Sequence, residues 1–313
     1  MNTESTQNYA YYGGIGTYVG FPDEPVERKD VIIQSLWTKP ILGSNPTKAQ
    51  QKRMKDTLYI AALSLECAHR SGYKVHMHTD RLGMELLSRF GYEELLPTLE
   101  DIPSSVPTEL FAAGKFFALR AEGITNKVHI DIDVFLKRPY LFDNFYMKSG
   151  IDMVCQQEEN YDCVDFIKPM IRTIHIVGYP ETTRPDWTGS MNTGVIGFNN
   201  PTLGSKYVRN YFNALQMYTE ENFAKYRGDA NKNLAFDFIL EQVNVSYLSL
   251  GYNVWSLLPS DDASAVADEM GYQHLQGDEK WTARSLVKVK SNLKVMNFKL
   301  YNEAFWASKK VHS

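Results

Sequence analysis

Two aspartates interrupt a strongly apolar run: Val128-His-Ile130 leads into Asp131-Ile132-Asp133, and Val134-Phe-Leu136 follows. A buried carboxylate without a partner is costly, so both acids call for one. Residues i and i+2 of an extended strand face the same side, which lets a single divalent cation reach both. Hard oxygen donors favour Mg²⁺ or Mn²⁺. The plainer reading of an isolated Asp-x-Asp is a surface or turn pair.

Two further segments carry residue types suited to the same chemistry. In Met191-Asn192-Thr193-Gly194-Val195, a polar stretch runs into an apolar strand. Asn192 offers donors and an acceptor to hydroxyl groups, and Gly194 lets a ligand approach the backbone. An ordinary turn before a core strand explains the same residues. In His274-Leu-Gln-Gly277-Asp-Glu-Lys280 an imidazole, a glycine and a cation fall within seven residues. His274 suits a third metal ligand whose nitrogen tilts preference toward Mn²⁺, and Lys280 suits a diphosphate as a point charge. A loop without a role is the bland alternative. His76 and His78 share a strand face, but no acid or cysteine cluster lies near them in the sequence, so they read as structural.

The elements around these residues are legible by periodicity. Lys48–Ser71 carries Met54, Leu58, Ala61, Ala62 and Leu65 at helical spacing, with Gly72 past its end. Strands are expected at Val31–Trp37, Lys74–Thr79, Lys127–Ile132, Asp152–Gln156, Gly194–Phe198 and Tyr252–Trp255. Further helices are expected at Leu82–Phe90, Gly114–Glu122, Ser205–Thr219 and Asn233–Val243. Strand and helix alternate through the first half, which predicts an α/β layer with a mostly parallel sheet. Ligands in such sheets bind outside the carboxyl ends of the strands.

Composition sets the outer bounds. The 313 residues are 43% hydrophobic and 22% charged, an ordinary globular balance. A net charge of −4 does not suggest a nucleic-acid-binding surface. Residues 280–313 hold eight Lys or Arg against Glu303, so they carry +7 and residues 1–279 carry −11. Such a basic end suits phosphates or anionic lipid, or simply a solvated face. Cys67, Cys155 and Cys163 lack metal-type spacing, and their odd number fits a reducing compartment. The start of the chain shows no secretory pattern, and no apolar run is long enough to span a membrane. These features predict a cytoplasmic protein, with peripheral contact to the inner face of the membrane through the basic end.

Asp131-x-Asp133, Asn192-x-Gly194 and His274-x-x-Gly277-x-x-Lys280, in this order and approximate spacing, resemble the retaining glycosyltransferases of family 8. That family includes glycogenin-like glucosyltransferases and bacterial galactosyltransferases that build lipopolysaccharide. The flanks Gly114-Lys115-Phe116 and Phe135-Leu-Lys-Arg-Pro139 extend the likeness over roughly residues 110–285. Trp281 directly after Lys280 departs from the family's Pro-Trp, and Glu241-Gln242 is the nearest match to its Asp-Gln pair. The resemblance implies a GT-A fold: a Rossmann-like mixed sheet with helices on both faces and a more irregular C-terminal part. It implies a UDP-sugar donor and a carbohydrate or glycolipid acceptor, as in bacterial polysaccharide biosynthesis. Asp131, Asp133 and His274 would hold Mn²⁺ (or Mg²⁺). Gly277 and Lys280 would serve the phosphates, Lys115 the phosphates or the two aspartates, and Gln34 and Trp37 the base, with core packing the other reading of Trp37. Asn192, Glu241 and Gln242 would lie at the reacting sugars. The expected organisation is an irregular arm at 1–30, a catalytic domain at 31–290 and a basic tail at 291–313. A sugar nucleotidyltransferase and a silent nucleotide- or sugar-binding module are the rival readings. The first lacks a glycine-rich basic loop after Ile33-Gln-Ser-Leu-Trp37.

Overall fold

In the first strand, β1 (Asp30–Leu36), Ile32 and Ile33 are both fully buried but join different apolar clusters. A strand covered on both faces has this near-continuous apolar sequence. The structure is a computed structural model that describes residues 27–143, 145, 150–160, 189–219, 230–258, 263–275 and 280–311. Most of the expected arm, Cys163 and Gly277 lie outside the described residues.

A short helix α1 (Lys39–Leu42) precedes α2 (Lys48–Arg70). A capping box starts α2: Thr47 Oγ1 accepts the Gln50 N–H, and the Gln50 side chain accepts the Thr47 N–H. Reciprocal bonds of this kind satisfy two N–H groups that have no partner inside the helix. Gly72 just beyond the helix has φ 88°, a conformation open to glycine and costly for most other residues. The chain continues through β2 (Tyr73–Thr79), α3 (Arg81–Leu87), β3 (Glu94–Leu96), α4 (Ala113–Glu122), β4 (Lys127–Ile130), β5 (Val134–Leu136), β6 (Met153–Asn160) and β7 (Gly189–Phe198). Beyond these lie α5 (Pro201–Thr219), α6 (Ala230–Phe238), a π-helical segment Ile239–Val243, α7 (Asn244–Leu248), β8 (Val254–Leu258), α8 (Ala263–Met270), β9 (Tyr272–His274), α9 (Ala283–Met296) and α10 (Phe298–Lys310).

The main sheet has the order β3-β2-β1-β4-β7-β6-β8. The first four strands are parallel, β7 is antiparallel to both β4 and β6, and β8 is parallel to β6. Helices cover both faces: residues of α2, α9 and α10 enter one apolar cluster, residues of α4, α5 and α6 the other. The fold is therefore α/β with a mixed sheet, as expected. The strand order reverses at β1, which has β2 on one side and β4 on the other. A crevice outside the carboxyl ends of two such strands is where open α/β sheets bind ligands.

Two local outcomes differ from the sequence reading. The strand expected over Lys127–Ile132 stops at Ile130. Asp131 N–H bonds Gly194 O at 2.9 Å, and Val134 N–H closes a turn onto Asp131 O at 3.0 Å. The chain then re-enters as β5, which pairs with β9 instead of the main sheet. The two acids therefore meet through a turn and not through the period of a strand. The basic stretch expected as a tail is helical through Lys310 and packs on α2. Leu293, Leu300, Ala304 and Ala307 are buried there. Asn297 Nδ2 donates to Glu66 at 2.7 Å, and Arg70 to the Met296 carbonyl at 2.6 Å. Its charge misled because lysines point outward on helices whose apolar stripe faces inward.

Candidate functional site

Asp131, Asp133 and His274 each bring a ligand-type atom to one spot, all within 4.8 Å of one another. Asp131 follows the last residue of β4, and Asp133 precedes β5. The register Val134↔His274 brings the imidazole alongside. A backbone bond from Leu275 N–H to Asp133 O, 3.0 Å, locks that register.

The orientation of His274 is fixed from behind. Its Nδ1 lies 2.7 Å from Gln156 Oε1, which also accepts the Tyr272 hydroxyl at 2.7 Å. An amide oxygen only accepts, so Nδ1 donates to it and Nε2 is the nitrogen turned toward the acids, 3.3 Å from Asp133 Oδ1. A histidine anchored through one ring nitrogen, with the other facing carboxylates, has the arrangement a metal ligand requires. Gly194 makes the arrangement possible. A Cβ there would lie 2.5 Å from Gln156 Oε1 and 2.6 Å from His274 Cε1. The close approach expected of Gly194 is thus to the His274 ring. Gly194→Ala is expected to leave the sheet folded yet weaken Mn²⁺ binding about 10–100-fold, the usual effect of disturbing the support of a ligand. Mn²⁺ titration followed by electron paramagnetic resonance measures this, and an unchanged affinity would refute the role.

Two lysines balance the acids. Lys280 Nζ reaches Asp133 Oδ2 at 2.6 Å from the part-exposed rim. Burial opposes ionisation of Asp133, but Lys280 and His274 outweigh it and hold the carboxyl well below its usual range. Lys115 is enclosed on α4. Its Nζ lies 3.1 Å from Asp131 Oδ1, donates to Thr193 O at 2.8 Å and forms a close ion pair with Glu241. Burial works against its charge, yet Asp131 and Glu241 together raise its pKa above that of ordinary lysine. Asp131 is pushed up by burial, opposed by Lys115, with Asp133 and Glu241 adding to the rise. The π-helical turn at Ile239–Val243 aims Glu241 inward, where it also accepts from Thr193 Oγ1 at 2.6 Å. Such turns recur at functional sites.

Other expected residues fall elsewhere. Asn192 sits on β7, where its Oδ1 accepts the Gly194 N–H at 3.0 Å and its Nδ2 reaches Glu159 at 3.3 Å. Gln34 is fully buried under α2 and donates to Ser64 Oγ at 2.7 Å; Ser64 in turn donates to the Val134 carbonyl. Gln34 thus supports the turn bearing the acids and does not open onto it. Trp37 is 6% exposed in the cluster with Leu99 and Ile102, so the structure places it as core packing. Gln242 is part-buried beside Glu241 and makes none of the bonds of this network. Gln156, Thr193 and Tyr272 went unnoticed in the sequence. The one available signal was a polar Gln-Gln pair inside the strand-forming run Met153–Gln157.

A mixed sheet that reverses at β1, with a buried acid–imidazole–lysine cluster beside β4, defines the class: an α/β protein with a polar site at the carboxyl edge of its sheet. The chain belongs to the family described as "Family of unknown function (DUF6734)", which it matches over residues 31–304. No curated protein matches it in sequence. Among solved structures it is similar to the glycosyltransferase GlyE of Streptococcus pneumoniae TIGR4, with TM-score 0.43 and 14% identity over 91% of this chain and 64% of that one. It is also similar to the galactosyltransferase LgtC in complex with donor and acceptor sugar analogs, with TM-score 0.37 and 13% identity over 83% and 95%. Mouse xyloside xylosyltransferase 1 follows, with TM-score 0.33 and 12% identity over 75% and 86%. Likeness at this level carries no residue-by-residue correspondence.

Proposed function

We propose that this chain is a metal-dependent glycosyltransferase. It transfers a hexose from a UDP-sugar to a carbohydrate or glycolipid acceptor with retention of anomeric configuration. The observation that carries this is the convergence of Asp131, Asp133 and His274 within 4.8 Å, with Lys280 bound to Asp133. Two carboxylates and one correctly oriented imidazole fit Mn²⁺. The donor identity, the metal and the retaining outcome come from the family-8 resemblance of the three motifs.

Asp131, Asp133 and His274 would hold the metal, which would supply positive charge against the diphosphate of the leaving UDP. The protein's own groups do the remainder. Lys280, at the rim, supplies a point charge to the phosphates. Lys115, enclosed on α4, holds Asp131 and Glu241 in place. Glu241, engaged by Lys115 and Thr193, acts as a positioning residue, and Asn192 offers its amide to a sugar hydroxyl. Gly277 is assigned to the phosphates with Lys280.

UDP release from a panel of UDP-sugars, with Mn²⁺ and with EDTA, tests the reading. Mn²⁺-dependent release with an α-linked product from an α-linked donor supports it. Pyrophosphate release from UTP and a sugar 1-phosphate would replace it with a nucleotidyltransferase. UDP binding without any turnover would replace it with a binding module.

The acceptor side also bears on location. No helix among the described residues is long and apolar enough to cross a membrane. On α9 and α10, exposed Val295, Phe298 and Trp306 lie among exposed Lys294, Lys299, Lys309 and Lys310. Apolar and basic groups mixed in this way suit an anionic bilayer surface. Flotation with anionic liposomes is expected and should be lost in Phe298→Ser/Trp306→Ser; retention in that variant would refute the contact.

A further inference from the structure

His76 and His78, which read as structural in the sequence, acquire acidic neighbours in the fold. Both project from β2 on the side away from α2, since Val75 and Met77 enter the apolar cluster that α2 covers. The edge strand β3 is registered so that Glu94 stands directly beside His76. Glu122, the last residue of α4, reaches the same place. His76 Nδ1 lies 2.8 Å from Glu122 Oε1 and 3.9 Å from Glu94 Oε2. The three residues each offer a ligand atom within 4.8 Å of the others. His78 Nε2 lies 3.2 Å from the same Glu122 Oε1, and its Nδ1 is 2.8 Å from Thr98 Oγ1.

We propose that His76, Glu94 and Glu122, with His78 as a second imidazole, form a second cation site suited to a transition metal of the Zn²⁺ type. Imidazole nitrogen beside carboxylate oxygen suits Zn²⁺, whereas Mg²⁺ and Ca²⁺ take oxygen alone. The groups around the site fit that use. Lys127 engages Glu122 through Oε2 and the backbone carbonyl, which leaves Oε1 as the oxygen turned toward the two imidazoles. The Thr98 hydroxyl engages His78 Nδ1 and leaves Nε2 as the nitrogen turned to Glu122, the outer partner that ligand histidines usually have. Glu94, with a side chain 55% exposed, opens the site to solvent, while Glu122 and His78 are enclosed.

The position gives the site a purpose. β3 has only three residues and lies at the edge of the sheet. A cation held by His76, Glu94 and Glu122 would tie that edge to β2 and to the end of α4. The same helix carries Lys115 near its start, so the cation would brace the helix that positions the buried lysine.

Zn²⁺ titration calorimetry on the chelator-treated full chain tests this. Wild type and Asp131→Asn/Asp133→Asn should both bind Zn²⁺ at this site. His76→Gln and Glu94→Gln should each weaken that binding by roughly tenfold or more, with Mn²⁺ binding at the Asp131 cluster unchanged. Co²⁺ absorption should report coordination in wild type that fades in the same two variants. Should the double aspartate variant fail to fold, the comparison of wild type with Glu94→Gln decides alone, because Glu94 is exposed. Zn²⁺ binding and Co²⁺ absorption unaltered in both His76→Gln and Glu94→Gln would overturn the site, as would a wild type that takes up no Zn²⁺ beyond the Asp131 cluster.

Discussion

Asp133→Asn is expected to lower Mn²⁺-dependent UDP release by at least about 10³-fold, roughly 4 kcal/mol of lost transition-state stabilisation. The side chain is nearly isosteric, so the backbone turn and the bond from Leu275 N–H to Asp133 O persist. What is lost is charge. Asp133 touches both His274 and Lys280, and their proximity keeps it ionised against burial. An amide in its place cannot hold a divalent cation beside His274 Nε2, and it leaves Lys280 without its carboxylate. Calorimetric Mn²⁺ titration should show the metal site gone while the far-ultraviolet circular dichroism is unchanged. Activity within tenfold of wild type would instead make Asp133 a structural partner of Lys280 and remove the metal from the proposal.

The largest stability effect belongs to Lys115→Met. The methionine nearly fills the same volume, so packing changes little, but the buried Glu241 and the part-exposed Asp131 lose their cation. Removing one partner of a buried pair typically costs about 3–5 kcal/mol, because the remaining charge is uncompensated. Urea unfolding should show this loss, and adding Glu241→Gln should recover part of it. The pH dependence follows from the direction of the shift. The folded-state pKa of Lys115 lies above that of free lysine, so its stabilisation is complete below about pH 10.4 and fades only at higher pH. The difference between wild type and variant should therefore be flat from pH 6 to pH 9, on the order of the same few kcal/mol throughout. A loss under about 1 kcal/mol would mean that the Lys115 ion pairs contribute little net stability.

Much of the frame was readable one segment at a time. The helix expected at Lys48–Ser71 runs Lys48–Arg70, and the strand expected at Lys74–Thr79 runs Tyr73–Thr79. Both signals are local: apolar spacing for the helix, alternation and a following aspartate for the strand. The break of Lys127–Ile132 at Ile130 was not readable, because Asp131 N–H turns to Gly194 O, a partner distant in the chain. Nor was the π-helical turn that carries Glu241, whose direction is set by a lysine 126 residues away.

The sequence by itself determined the α/β alternation, the two acids that needed partners, and the imidazole and lysine available to supply them. Those features depend on short-range periodicity and on the cost of burying charge, which any reader of the chain can weigh. Only the tertiary structure decided who partners whom. The pairing of β5 with β9 brings His274 to Asp133, and β7 beside β4 lets Gly194 admit the imidazole. The register of β3 against β2 sets Glu94 beside His76. Each is a contact across many residues, and residue type alone does not encode sheet order or register: a shift of one residue in β9 would have turned His274 to the opposite face.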